Sequence, residues 1–199
     1  RYSFANQPPI TKWNLARFAE CLIPLIDKDQ DEAIKIATET INNFEKIYEV
    51  KWLNMMRDKL GLFGEDKNDK ILIEDLLNWM EKNKADYTNT FCNLMNIKTS
   101  NNEIYNNKDY INWTNKWQKR ILLKNSSKDK SLKLMKNSNP VVIPRNHKVE
   151  EALKAANENN LKVMNKLLSI LTKSYENQKN IEDFQSPSNT KEYQTFCGT

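Results

Sequence analysis

Glycine is almost missing from this sequence, with three residues in 199. Tight hairpins need residues that accept positive φ, and few stretches alternate apolar with polar residues. Strands and β-hairpins therefore have little to build on, and helices are the default. Histidine occurs once. His147 follows Arg145-Asn146 at the start of an expected helix, with no Cys or Ser near it in sequence to serve as a nucleophile, and it reads as a surface or hydrogen-bonded structural residue. The three cysteines, Cys21, Cys92 and Cys197, are odd in number and have no CxxC spacing. That argues against a disulfide scaffold and against a zinc site. The chain also lacks GxGxxG, the P-loop signature, GxSxG and HExxH. Apolar runs such as Cys21–Ile26 are far too short to cross a bilayer, and the start has no basic-then-apolar leader pattern, so neither a secreted nor a membrane-spanning protein is expected.

What is present describes a globular chain with a polar surface. Hydrophobic residues make up 39% and there are five Trp to bury. The length suffices for one domain, or a large piece of one, with a buried core. The net charge of +5 comes from 31 basic and 26 acidic residues, and the lysines are interspersed with Glu, Asp and Asn. Such mixing marks solvated helix faces rather than the bunched basic patch of a nucleic-acid binder. The acidic pairs Glu74-Asp75, Glu150-Glu151 and Glu182-Asp183 are sequence neighbours that diverge around a helix, so they read as solvated faces too. The first residue is Arg1 and the opening Arg1-Tyr2-Ser3-Phe4-Ala5-Asn6-Gln7-Pro8-Pro9 is aromatic and amide-rich; the expectation is that the sequence begins within something longer.

Periodicity predicts the helices. The first runs from Pro9 to about Ile26, with Ile10, Trp13, Ala16, Ala19, Leu22, Ile23 and Ile26 on one face and two prolines at its entrance. A second spans Gln30 to Leu60, too long to be straight and so bent or broken, and stops at Gly61. After a polar turn at 64–69 come Lys70–Asn83 and a helix capped by Asp86 or Thr88 that buries Phe91, Leu94 and Met95. Ile97–Lys108 reads as an Asn-rich loop. Asp109–Lys124 carries Trp113 and Trp117 as a core stripe, and Lys128–Asn137 is a short helix. Asn139–Asn146 is a fixed extended connector, because Pro140 and Pro144 forbid helix before them. Asn146 is the expected cap of a helix to Glu158, followed by Leu161–Tyr175 and a tail from Ser186. Cys21 and Cys92 fall in apolar helical patterns, where a buried thiol acts as a small hydrophobe. Arg145, held between prolines and a helix start, is expected to tie the connector to a carboxylate or to helix-end carbonyls; phosphate binding is the functional alternative.

Three stretches, in order and over nearly the whole chain, carry a resemblance. The first is Arg1-Tyr2-Ser3-Phe4-Ala5-Asn6-Gln7-Pro8 with Trp13-Asn14-Leu15-Ala16-Arg17. The second is Lys59-Leu60-Gly61-Leu62 with Ala85-Asp86-Tyr87-Thr88 and Phe91. The third is Met135, Asn139-Pro140, Ile143-Pro144-Arg145-Asn146-His147, Val149-Glu150, Ala152-Leu153 and the terminal Tyr193-Gln194-Thr195-Phe196-Cys197-Gly198-Thr199. Together they resemble the C-terminal part of the selenoprotein O family, also called YdiU or UPF0061.

The resemblance implies a protein-kinase-like (pseudokinase) fold that transfers AMP from ATP to Ser, Thr or Tyr hydroxyls of target proteins. Here the fold would be an all-α, helical C-lobe portion, with the N-lobe and catalytic loop absent from this chain: residues 1–185 as the helical region and 186–199 as the tail. ATP and magnesium would be held, with the nucleotide inverted, by a glycine-rich loop, a lysine and its glutamate, a catalytic aspartate and asparagine, and a metal-binding aspartate, all lying before Arg1. No residue of this chain is then catalytic, cofactor-binding or metal-binding. Because such transfer depends on positioning and electrostatics from those groups, the isolated chain is expected to be inactive. Asn6, Gln7, Trp13, Asn14, Asn139, Pro140, Arg145 and Asn146 would be structural motif residues. Cys197 matches the family's redox position, with a partner cysteine in the upstream activation segment; the ending Cys-Gly-Thr departs from the commoner Cys-Ser or Sec-Ser-Ser and favours a cysteine-based reading. Expected partners are the upstream kinase-like part of the same protein and protein substrates, with neither nucleic acid nor membrane. The expected location is the cytoplasm, or mitochondria in a eukaryotic source. The rival reading is a free-standing helical interaction module without catalysis.

Overall fold

The computed structural model describes residues 6–97, 99, 102–123 and 127–188. Among these the regular structure is helical, without strands: α1 (Gln7–Ile26), α2 (Gln30–Asn42), α3 (Phe44–Lys59), α4 (Asp69–Asn83), α5 (Tyr87–Leu94), a 3-10 turn (Asn102–Asn106), α6 (Lys108–Ile121), α7 (Lys128–Ser138), α8 (Asn146–Asn157), α9 (Lys162–Leu171) and the short α10 (Glu182–Gln185). None of the helices is long and apolar enough to cross a membrane, among the described residues. The chain divides into two units, Arg1–Asn54 and Met55–Thr199.

In the first unit α1 enters through Pro8 and Pro9, whose missing amides cost nothing in a first turn. Asp29 caps α2 by accepting from the amides of Asp31 and Glu32. The helix expected over Gln30–Leu60 is two helices, divided at Asn43, whose amide reaches back to the carbonyls of Glu39 and Thr40 at 3.2 Å each. Neither Gly nor Pro marks this break. Lys12 pairs with Glu45 at 2.7 Å. The expected single core stripe of α1 is a correction. Ala16, Ala19 and Ile23 line the seam with α2, but Trp13 is 57% exposed and no described residue of α1 is fully buried. Cys21, expected to be buried, is exposed. The reason for both is that apolar residues occupy opposite sides of α1, and only one side meets α2.

The second unit has a core of its own. Met56, Leu60, Ile73, Leu76, Phe91, Cys92, Met135 and Val142 are buried. Trp113 and Trp117, one turn apart on α6, stack with ring centroids 6.0 Å apart. Their indole N–H groups donate to the carbonyls of Leu72 and Leu60 at 2.8 Å each, so α6 is pinned to α4 and to the end of α3. Burying these rings satisfies both their apolar area and their single donors. Ile97–Lys108 is not simply a loop: Tyr105, in its 3-10 turn, is buried and packs 5.2 Å from Tyr110 and 6.1 Å from Trp79. An aromatic within polar, Asn-rich sequence supplied the burial that the composition hid.

Helix ends in this glycine-poor chain recruit other residues. Gly61 ends α3 at φ +67°, with the Leu62 amide donating to Arg57 O at 2.9 Å. Lys84, Asn96 and Asn159 hold the same left-handed position after α4, α5 and α8, and the following amides close back on Met80, Cys92 and Ala155. Asparagine tolerates this conformation best after glycine. At the entry to α8 the expected cap is displaced by one residue: Arg145 holds the cap position and Asn146 is the first helical residue.

Candidate functional site

Two carboxylates organise the polar interior of the second unit. Asp69, the first residue of α4, is 1% exposed. Its Oδ2 accepts from Arg57 Nε at 2.7 Å and its Oδ1 from Arg120 Nε at 2.7 Å, while Arg120 Nη2 and the Asp66 amide also reach Oδ2, at 3.2 and 3.0 Å. Arg120 also donates to the carbonyls of Phe63 and Gly64. Burial alone would raise the Asp69 carboxyl. The hydrogen bonds from Arg120, Arg57 and the Asp66 amide outweigh it and hold the carboxyl below the usual range. α3, α4 and α6 thus meet on one charge.

Asp86 organises the second cluster. As cap of α5 it accepts from the Asn89 amide at 2.8 Å, and the Arg145 guanidinium grips both its oxygens, Nη1 to Oδ2 at 2.7 Å and Nη2 to Oδ1 at 2.8 Å. Arg145 Nη2 also donates to Gln185 O at 2.8 Å. Asn89 Nδ2 donates to that same carbonyl at 3.2 Å, and Gln185 Nε2 closes on Val141 O at 2.8 Å. The connector is fixed further by Val141, whose amide donates to Ser174 O at 2.7 Å. This clasp fastens α5, the 139–146 connector and α10 together. The structural role expected for Arg145 is what the geometry displays, since its fork satisfies a carboxylate and a helix-end carbonyl at once. Arg145→Met should cost about 1.5–3 kcal/mol in urea unfolding, and Arg145→Lys should recover only part of it, because an ammonium lacks the planar fork. Equal stability of all three forms would disprove the clasp.

The remaining motif residues divide between the units. Asn6 precedes α1 without a side-chain capping bond; Gln7 opens that helix, and Trp13 and Asn14 are exposed along it. In the second unit Asn139 is buried, and its Nδ2 donates to Lys59 O at 2.8 Å and Met135 O at 2.9 Å, tying α3 to α7. Pro140 follows, its carbonyl 3.9 Å from Cys92 Sγ. Asn146 is exposed. Arg1–Ala5 and Cys197 lie outside the described residues.

Neither cluster is arranged for chemistry. Burial, with Asp86 adding to it, pushes the Cys92 thiol up to about 11, so it is protonated at neutral pH and a poor nucleophile. Burial pushes the Tyr87 hydroxyl up to about 12. Lys59, which the sequence reading passed over except as a motif residue, lies over the Phe91 and Tyr87 rings at 4.7 and 5.4 Å, and desolvation lowers it from the ordinary lysine range. Neither cluster fits the magnesium ion of the ATP–magnesium pair that the resemblance implies. Asp69 and Asp86 are saturated by guanidinium groups, and among the described residues no three His, Cys, Asp or Glu gather as metal ligands.

Asp69, Arg57, Arg120, Asn89 and Gln185 were all missed as site residues from sequence. Asp86 alone had a signal, as a helix cap.

Residues 1–172 match the family described as Protein adenylyltransferase SelO. A protein nucleotidyltransferase YdiU from Pelagibacter ubique (strain HTCC1062) is 57% identical over 201 residues, covering 100% of this chain and 42% of the relative. The proteins of that name from Alkaliphilus metalliredigens (strain QYMF) and Clostridium beijerinckii (strain ATCC 51743 / NCIMB 8052) are 47% and 46% identical, each over 100% of this chain and 41% of the relative. The chain therefore spans about two fifths of the length of the curated relatives it matches. By this match and this identity, the chain belongs to the SelO/YdiU family of protein nucleotidyltransferases.

Proposed function

We propose that this chain is the helical C-terminal scaffold of a protein adenylyltransferase with a kinase-like fold, a cytoplasmic enzyme that moves AMP from ATP to Ser, Thr or Tyr hydroxyls of target proteins. One observation carries the division of labour: the buried carboxylate Asp69 and the clasped Asp86 are both neutralised by arginine, so they hold helices and are not offered to a metal or a proton. The family's name supplies the reaction class, and the share of each relative that this chain does not cover supplies room for the nucleotide site. On this reading ATP and magnesium bind in that other part, and the scaffold's contribution is to keep it in shape. Cys197 belongs to the same proposal as a redox thiol that pairs with a cysteine of the activation segment.

The test uses ATP labelled on the α-phosphate, with magnesium, on this chain and on a full-length product of the same gene. Label is expected on protein in the full-length reaction alone, and none when the label is moved to the γ-phosphate. Label on the isolated chain would overturn the proposal, and γ-label transfer would replace adenylyl by phosphoryl transfer. A full-length product that transfers neither leaves the helical interaction module as the reading.

A further inference from the structure

The positive charge of this chain is not spread evenly. Between Asn115 and Asn137 stand seven lysines and Arg120 against one acidic residue, Asp129. Arg120 is held by the buried Asp69, yet the lysines alone outnumber the net +5 of the whole chain, and the rest of the sequence is slightly acidic. The mixing of lysine with acidic residues breaks down here. Six of the lysines are described and all are exposed, Lys116 and Lys119 on α6, Lys128, Lys130, Lys133 and Lys136 on α7. Lys116 and Lys119 share a cavity with Asp66 and Asp75, and Lys116 lies 3.6 Å from Asp75, so the positive excess lies towards α7. The turn between the two helices adds an apolar tip. α6 ends at the buried Ile121, and the next two residues, Leu122 and Leu123, are 57% and 47% exposed. Beyond the turn Ser127 caps α7, accepting from the Lys130 amide at 3.3 Å. Two adjacent leucines therefore stand at a corner, with Lys119 a turn before them and Lys128 and Lys130 at the start of the helix that follows.

We propose that the α6–α7 corner docks on an anionic lipid surface, its lysines against the phosphate headgroups and Leu122 and Leu123 in the boundary between headgroups and acyl chains. Charge complementarity selects this occupant first: each lysine held near an anionic leaflet strengthens binding about fivefold. The leucines select it further. A merely solvated lysine face gains nothing from two neighbouring exposed leucines, whereas interfacial binding draws on buried apolar area and on attraction to anionic lipid together. A surface for single-stranded nucleic acid would offer aromatic rings for stacking, and the tryptophans of α6, Trp113 and Trp117, are buried. Lysine is also depleted where protein surfaces pack together, which suits this face to lipid headgroups better than to a protein neighbour. The contact is peripheral, since among the described residues no helix is long and apolar enough to cross a membrane. The expectation of no membrane partner followed from the lack of a spanning segment, which a surface contact does not need. Nor does it need ATP, so it stands apart from the reaction proposed above.

The experiment floats this chain, and a full-length product of the same gene, with vesicles of phosphatidylcholine alone or of an equimolar phosphatidylcholine–phosphatidylglycerol mixture. Both proteins should rise with the anionic vesicles only, and less so as salt is added. Lys119→Gln and Lys130→Gln should each weaken binding about fivefold. Leu122→Gln combined with Leu123→Gln, which leaves the charge unchanged, should weaken it on the order of tenfold. Lys173→Gln, at an exposed lysine beyond α9, should weaken it less than twofold, roughly, because it lies outside the lysine-rich corner. All these positions are exposed, so the urea transition of the second unit should match wild type in every variant. No flotation with anionic vesicles, or flotation that the lysine or the leucine substitutions leave intact, overturns the proposal. So does a full-length product that stays behind while this chain floats, since the corner would then be covered in the longer protein. Retention on an oligonucleotide or on polyglutamate as tight as on the vesicles, and indifferent to the leucine substitutions, overturns it in favour of a nucleic acid or an acidic protein.

Discussion

Replacing Asp69 by asparagine should lower the unfolding free energy of the second unit by about 3–5 kcal/mol, the usual cost of stranding buried charge by removing its partner. Arg57 and Arg120 are 8% and 6% exposed. Both point their Nε at this one side chain, and an asparagine would answer one of them with a donor facing a donor. The substitution also has a signature in pH. The native Asp69 carboxyl sits below its unfolded value, so its contribution is fully present above the unfolded carboxylate pKa of about 4. It is lost as pH falls through that value toward the native one. Wild type should therefore lose stability in acid more steeply than Asp69→Asn. Urea titrations of both proteins at pH 7 and at pH 3–4 read this directly; a loss under about 1 kcal/mol at neutral pH, or parallel acid limbs, would show that the two arginines are satisfied without Asp69.

The second large effect is expected at Gly61. It holds φ +67°, and a Cβ there would stand 2.7 Å from Ser131 O, 2.9 Å from Met135 Cγ and 3.0 Å from Ser131 Cβ. Met135 can turn aside, but Ser131 O is backbone of α7 and yields only if the helix moves. Left-handed strain of about 1–2 kcal/mol and overpacking of about 1–3 kcal/mol act together, so Gly61→Ala should cost about 2–5 kcal/mol. The displacement should also reach Trp117, whose indole donates to Leu60 O beside the turn. Thermal unfolding followed by near-ultraviolet circular dichroism tests both parts; an unchanged midpoint with an unchanged aromatic signal would mean that α7 is not held against this turn.

Much of the fold was legible because its signals are local. Pro8 and Pro9 at the entrance to α1, Gly61 after α3, Asp86 as the cap of α5 and the prolines around 139–146 each act on backbone within about four residues. The Trp113/Trp117 stripe needed only the helical period. The break at Asn43 was not legible to the residue, since no helix breaker stands there and the period continues across it. Tyr105 was hidden in a polar stretch whose composition outweighed one aromatic ring. α1 misled for the opposite reason: its apolar pattern is real, but a period says that a face exists, not that there is only one.

The polar clusters lay beyond sequence reading altogether. Asp69 meets one arginine 12 residues earlier and another 51 residues later, and Arg145 meets Asp86 across 59 residues. Arg145 was legible as a tie because prolines restrict the backbone around it, yet its partner was not. Sequence by itself determined that the described chain is helical, most of its helix limits and its family, because helix propensity, capping and motif order are written in neighbouring residues. Only the tertiary structure decided which carboxylates are neutralised, that Gln185 closes the clasp, and which side of α1 is left uncovered. Those outcomes depend on which helix faces meet, and distant packing, not any local signal, sets that.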